Sequence, residues 1–272
     1  MINLFCALYC EAEPLINQYQ LSELRQFDLF RIFQSEDKQI ALTITGIGKL
    51  NAASAVTYHH ANLKTSGSDV WLNVGVAGHK SMAIGEVCLV NKITDNKDLS
   101  CWYPQILFQP SCKTEALITV SEPSTDYEQV LYDMEATGFY SIATRLGTSE
   151  LIHCLKIVSD NDQHSTQNIN KGMVKDLLTK NLDVITSIID ELKVLSNELY
   201  SISQAPSCYQ AFIKKWHFTA TERIQLERLL RQWSKRLPDT EAMQSANKLT
   251  SGKSVLRHLQ NAINESGFVI YD

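Results

Sequence analysis

The chain has 272 residues, of which 44% are hydrophobic and 20% charged, and a formal net charge of −5. These proportions exclude a disordered or fibrous chain, no apolar run approaches the length of a bilayer span, and the first residues lack the basic flank and long apolar stretch of a secretory leader; a cytoplasmic globular protein is expected. The charge is uneven, with 15 basic against 23 acidic side chains in residues 1–196 and 10 against 7 in residues 197–272, so an acidic part long enough for an α/β domain precedes a short basic one.

In chain order, residues 2–8 are an apolar run suited to a buried strand. A turn then leads into a helix with Pro14 near its first turn, where a missing N–H is harmless. This sets Glu11 at the carboxyl end of the first strand, the edge where open α/β sheets collect ligands, although an acid at a helix start also serves the helix dipole. Residues 27–33 and 39–45 read as the next two strands. The second runs into Thr45-Gly46-Ile47-Gly48-Lys49, whose small residues permit close backbone approach. A phosphate loop of the Gly-Lys-Ser/Thr type is excluded, because the required earlier glycine is missing and Leu50 follows Lys49. A helix is expected from about residue 51 to 63.

Residues 70–74 predict a buried strand ending in Gly75-Val76-Ala77-Gly78, where main-chain amides can line a pocket. Residues 87–90 predict another. Residues 95–112, with Trp102, Tyr103 and Phe108, form a polar and aromatic loop that fits a lid, a subunit contact or a surface excursion packed on its own fold. A strand over 117–120 is broken by Pro123, and residues 126–131 lead into Leu131-Tyr132-Asp133-Met134-Glu135-Ala136-Thr137-Gly138. Residues two apart in an extended segment share a face, so Asp133 and Glu135 are expected to converge. The alternative is an acidic helix start, since Phe139, Ile142, Ala143 and Leu146 follow at helical spacing. Residues 151–158 are the near-continuous apolar run of a strand covered on both faces, interrupted by Lys156, which must be paired or reach a wet cavity. That strand ends in Ser159-Asp160-Asn161-Asp162, either at the ligand-bearing edge or as a helix cap. One helix over 172–196 closes this part, with a stripe of Ile185, Ile188, Ile189, Leu192 and Leu195.

These separated motifs, in this order, resemble the nucleoside phosphorylase superfamily, and within it most the 5′-methylthioadenosine/S-adenosylhomocysteine nucleosidases and related purine-ribosyl hydrolases. The likeness spans about residues 1–196. It implies an α/β fold with a nucleoside phosphorylase-like twisted central mixed sheet flanked by helices, a homodimer, no cofactor, and hydrolysis of the N-ribosidic bond of a purine nucleoside. By the same resemblance Glu11 activates water, Met134 and Glu135 hold the ribose with Asp133 beside them, and Ser159 and Asp160 meet the purine, Asp160 feeding a proton to N7. Main chain at Gly46, Val76, Ala77 and Gly78 would approach sugar or base, and Lys156, where the family carries an arginine, completes the substrate-binding set. Val76 stands where a serine is common, and Thr119-Val120-Ser121-Glu122-Pro123 replaces the family segment that holds a purine-stacking aromatic. Phosphorylases of the superfamily gather arginines around phosphate and none falls near these motifs, which favours water as the acceptor; phosphorolysis, or a nucleoside-binding module with a partner-binding tail, is the alternative. The chemistry itself asks for two acids, because cleaving such a bond develops positive charge on the sugar and negative charge on the departing base.

Ser203-Gln204-Ala205-Pro206-Ser207 reads as a linker, dividing residues 1–200 from a helical extension, 207–272, that resembles no family. Thr219 and Glu222 fit a capping box; Leu226, Leu229, Leu230, Trp233 and Leu237 form one apolar stripe, and Val255, Leu256, Leu259 and Ile263 a second after Ser251. A segment of this size makes a weak core alone, so an all-α appendage docked on the first domain is expected. Arg223, Arg228, Arg231, Lys235 and Arg236 near Trp216 and Trp233 invite a nucleic-acid reading, but Glu222 and Glu227 interrupt the patch, which reads as a solvated helix face. The seven cysteines are odd in number, scattered and without a C-x-x-C pair, hence reduced thiols, and the seven histidines lack ligand spacing, so no metal site is expected.

Overall fold

A computed structural model of the chain describes residues 1–122, 128–164, 169–238 and 240–266; the expected break at Pro123, the lead-in from residue 126 and the end of the helical extension lie outside the described residues. The chain divides into two compact units, residues 1–200 and 201–272. The first contains β1 (Ile2–Cys6), α1 (Tyr9–Gln18), β2 (Ser22–Glu23), β3 (Ile32–Gln34), β4 (Ile40–Ile44), α2 (Lys49–Leu63), β5 (Val70–His79), β6 (Val87–Asp95), β7 (Cys101–Trp102), β8 (Lys113–Thr119), β9 (Leu131–Asp133), α3 (Ala136–Ala143), β10 (Ile152–Asp160) and α4 (Lys171–Lys180), followed by α5 (Leu182–Ser203).

The strands form one mixed sheet in which β5 is the hub. Along one edge β5 runs parallel to β10, from Trp71 opposite Ile152 to Gly78 opposite Asp160. Along the other it pairs first with β1, parallel, as far as Asn73 opposite Phe5. It then pairs with β9, antiparallel, from Gly78 opposite Tyr132. Between Asn73 and Gly78 that second edge has no strand partner among the described residues, and this gap is where the cleft opens. Because β10 also pairs with β6, and β6 connects through β8 to β9, this part of the sheet curls back on itself.

Side chains alternate across the strands, so neighbouring residues feed different cores. Leu4 and Leu72 join Leu15, Leu155 and Ile188 on one face. Phe5 and Trp71 join Ala52, Phe139 and Tyr140 on the other, with Phe5 and Trp71 stacked at 5.7 Å. On this second face α2 and α3 cross so closely that a Cβ on Gly138 would collide with the Lys49 carbonyl oxygen.

Several expected boundaries move, for physical reasons. Residues 27–33 supply only the short β3, because Phe27 and Phe30 turn aside to pack their rings on Tyr58 of α2. The helix expected to hold Pro14 near its first turn starts earlier, at Tyr9, and places Pro14 in its interior, since the Glu11 carboxylate accepts the Leu8 N–H at 2.8 Å and closes the first turn early. β5 does not stop at Val74 but continues through both glycines, held by β10. The single helix over 172–196 is two, ending and restarting at Asn181, whose side-chain amide donates to the Leu177 carbonyl at 2.8 Å. In the 95–112 loop, Cys101–Trp102 pairs with β6 and Phe108 packs toward the first core, while Tyr103 and Leu107 stay exposed.

The second unit has a core of its own, built by α6 (Tyr209–Lys215), α7 (Ala220–Arg236), α8 (Ala242–Ser245) and α9 (Gly252–Glu265). Phe212, Phe218, Leu226, Leu230, Trp233, Val255, Leu259 and Ile263 fill it. The Thr219–Glu222 capping box and the Ser251 cap both form. Trp216 and Trp233 are buried, their indole N–H groups donating to the carbonyls of Leu249 and Thr240, so neither offers a surface on which a base could stack.

Candidate active site

A cleft of about 280 Å³ opens at the carboxyl ends of β1, β5 and β10, and its walls include Glu11, Val76, Ala77, Gly78, Asp133, Met134, Glu135, Ser159 and Asp160. A larger hollow, about 630 Å³, lies beside Met1, Ile2 and Ile40 at the amino ends of β1 and β4 and holds no comparable cluster of buried acids. In open α/β sheets the carboxyl ends are the ligand-bearing edge. The smaller cleft is therefore the stronger candidate.

Glu11 is fixed from two sides. One carboxylate oxygen accepts the Leu8 N–H, and the other accepts the Val76 N–H at 3.0 Å. The second bond exists because that edge of β5, opposite the one held by β10, has no strand partner at Val76 among the described residues. It also explains Gly75, where a Cβ would stand 2.8 Å from the same oxygen. Burial pushes the Glu11 pKa up, while both N–H groups and the nearby Lys156 ammonium pull it back.

Asp133 and Glu135 both face the cleft, though not by the expected extended spacing, since β9 ends at Asp133. Asp133 is committed to structure: it accepts from the Thr119 hydroxyl at 2.7 Å and the Ala136 N–H at 2.9 Å, and pairs with the Lys156 ammonium at 2.9 Å. The helix-start alternative for this acid is thus realised alongside its place on the wall. Glu135 accepts the Gly48 N–H at 2.8 Å. Gly48 adopts φ +101°, a conformation that favours glycine, to aim that N–H. Burial, and then the Asp133 charge, push the Glu135 carboxyl up to about 7, with Lys156 and Gly48 opposing and Glu11 adding to the rise.

Lys156 does not line the cleft. It is 1% exposed, paired with Asp133 beneath the floor. Burial acts to lower its pKa, but the carboxylates of Asp133 and Glu135 outweigh burial and raise it. The expected pairing is present; direct access to a ligand is not. Gly46 likewise lies off the lining: its N–H donates to the Ala7 carbonyl, and its φ of +78° turns the chain toward Gly48.

Ser159 and Asp160 remain in the strand, not at a helix cap. The register of β10 against β5 shifts between Val158 and Asp160, and such a bulge re-aims the side chains after it. The Ser159 hydroxyl donates to an Asp160 carboxylate oxygen at 2.6 Å. Ala7, Leu8, Ile47, Val120, Tyr132 and Ile169 also line the walls, and none of them is among the expected site residues. Ile47 and Tyr132 fall inside motifs singled out above, but an apolar or aromatic residue there carries no signal that it faces a ligand. Behind α2, the Lys49 ammonium contacts both Asp95 oxygens at 3.0 and 2.8 Å, and Asp95 also accepts from Thr137 at 3.0 Å, tying the Gly48 turn to α3.

Among the described residues no group of three or more His, Cys, Asp or Glu is placed to hold a metal, and no helix is long and apolar enough to cross a membrane.

No protein-family model matches the chain, and no curated protein matches it in sequence. Solved structures do match in fold. The apo 5′-methylthioadenosine nucleosidase of Arabidopsis thaliana has a TM-score of 0.57 at 17% identity, covering 70% of this chain and 95% of that one. The methylthioadenosine/S-adenosylhomocysteine nucleosidase of Colwellia psychrerythraea, solved with adenine, has 0.57 at 13% identity over 70% and 95%. Futalosine hydrolase of Helicobacter pylori has 0.55 at 12% over 70% and 97%. The chain shares the fold of these nucleosidases.

Proposed function

We propose that the protein hydrolyses the N-ribosidic bond of a purine nucleoside related to 5′-methylthioadenosine or S-adenosylhomocysteine, releasing free base and sugar. The observation that carries this reading is the meeting of Glu11, Glu135 and Asp160, which come from three distant parts of the chain, around one cleft. Likeness of fold to nucleosidases that act on such compounds supports it.

In this reading Glu11 takes a proton from water as the water oxygen bonds to C1′. The bond from C1′ to the base nitrogen breaks, its electrons pass into the purine, and Asp160 supplies the proton that neutralises N7. Each positioned proton transfer contributes typically ~10²–10⁴-fold. Glu135 grips the ribose hydroxyls and orients the sugar beside Met134. Lys156 and Gly46 act from behind the walls: Lys156 holds Asp133 and tempers the negative charge, and Gly46 shapes the turn that presents Gly48. A homodimer is proposed from the family resemblance alone.

Water is favoured over phosphate as acceptor because no arginine or lysine lines the cleft among the described residues. Lys49 and Lys156 are each held by a carboxylate. The test is incubation of the purified protein with methylthioadenosine, S-adenosylhomocysteine, adenosine and inosine, with and without phosphate, and chromatographic detection of free base. Release without phosphate is expected. Release only with phosphate would make it a phosphorylase, and no release from any nucleoside would overturn the reading.

A further inference from the structure

We infer that Tyr132 is the residue that receives the flat face of the base, and so sets the preference for an aromatic heterocycle in this cleft; the inference rests on the purine nucleoside reading above. Among the described residues that line the cleft, Tyr132 carries the only aromatic ring. The sheet register places it with care. Gly78 of β5 is paired on one side with Asp160 of β10 and on the other with Tyr132 of β9. Directly opposed residues on neighbouring strands project from the same face, so Asp160 and Tyr132 flank Gly78 in a single row across the sheet.

Two strand spacings separate them, about 9–10 Å. Gly78 contributes no side chain, so the floor between them is bare main chain. A bicyclic base over that floor can turn its N7 edge toward the carboxyl group while the phenol ring, reaching in from the other side, covers one of its faces. Apolar side chains elsewhere on the walls, such as Ile47 and Ile169, exclude water without favouring a π-face. The ring is also held in place, because its hydroxyl accepts the Glu128 N–H at 3.3 Å, and a fixed ring loses little freedom when a base packs on it.

Stacking on an aromatic ring is worth, by truncation to alanine, a factor of about 5–150 in affinity. Calorimetric titration with adenine as the probe tests this on the full-length chain carrying Tyr132→Phe, Tyr132→Leu or Tyr132→Ala, each checked for intact thermal unfolding. Adenine is expected to bind the wild type and the phenylalanine variant within about threefold of each other. The leucine and alanine variants should bind about 5–150-fold more weakly, the leucine variant keeping the volume but not the π-face. With a cleaved nucleoside the same variants should raise KM far more than they lower kcat. The inference is overturned if the wild type does not bind adenine, if the leucine and alanine variants bind it as the wild type does, or if the phenylalanine variant loses as much as they do. Adenine binding that follows this pattern, with no nucleoside cleaved, would sink the hydrolase reading and keep Tyr132. Nucleoside cleavage with KM unmoved in the leucine and alanine variants would do the reverse.

Discussion

The two units of the chain treat buried charge in opposite ways. Residues 1–200 enclose Glu11, Asp133, Glu135, Lys156 and Asp160 within one neighbourhood, whereas no charged side chain is buried among the described residues of 201–272. The second unit follows the economy of a small helical core: apolar stripes inside, tryptophan N–H groups satisfied by carbonyls, and charges such as the Arg231–Glu227 pair left at half-exposed positions. Ionisable groups are costly to bury unless paired, so a fold seeking stability alone has no reason to collect three carboxylates, Glu11, Asp133 and Glu135, around one lysine. The contrast marks the first unit as the one shaped by chemistry and the second as shaped by packing.

The contrast breaks most sharply at Lys156. Lys156→Met leaves Asp133 buried without its cation and should destabilise the first unit by about 3–5 kcal/mol; pairing it with Asp133→Asn should restore much of that loss, as measured by denaturant unfolding. In the second unit Leu230→Ala, which only opens a cavity, should cost about 2–5 kcal/mol and leave base release unchanged, since Glu11, Glu135 and Asp160 all belong to the first unit. Base release that fell along with the second unit's stability would mean the division of labour is wrong.

Glu135 sharpens the comparison through pH. Its pKa rises from the ordinary 4.5 to about 7, so between those values the folded chain holds a proton that the unfolded chain has released. Stability is therefore fully present below about pH 4.5, falls as pH rises through 7, and stays lower above. Glu135→Gln removes that dependence. Its advantage over the wild type in thermal unfolding should grow from pH 4.5 to 7 and then level off, on the order of 1–3 kcal/mol, while activity falls. An advantage that is constant or shrinking with pH would show that Glu135 is not strained by its neighbours.

Gly75→Ala should give the smallest change in stability, about 1 kcal/mol or less. The added Cβ meets the far end of a side chain, the Glu11 carboxylate at 2.8 Å, which can yield. The displaced carboxylate should lower kcat more than it raises KM; unchanged kinetics would separate Glu11 placement from turnover.

Much of this site is legible in the sequence because its motifs sit where strands end. The run through Gly75 and Gly78, the Asp133 to Glu135 segment and the end of β10 all announce themselves by small or charged residues after apolar ones. What stays hidden depends on pairing across the chain. Nothing local shows that Lys156 reaches Asp133 instead of the cleft, that a register shift near Ser159 sets Asp160 opposite Gly78, or that Tyr132 stands on the other side of that glycine. Two of the boundaries that moved were decided by single side-chain bonds, at Glu11 and Asn181, and the others by ring packing and strand pairing across the chain, none of which periodicity registers.

The most direct test is turnover of a purine nucleoside by Glu11→Gln, measured as free base released, alongside its calorimetric affinity for adenine. Base release about 10²–10⁴-fold slower, with adenine affinity and thermal unfolding close to wild type, is the expected result. Turnover within a few-fold of the wild type would contradict the role of Glu11 and, with it, the reading of the buried acids as a hydrolytic site.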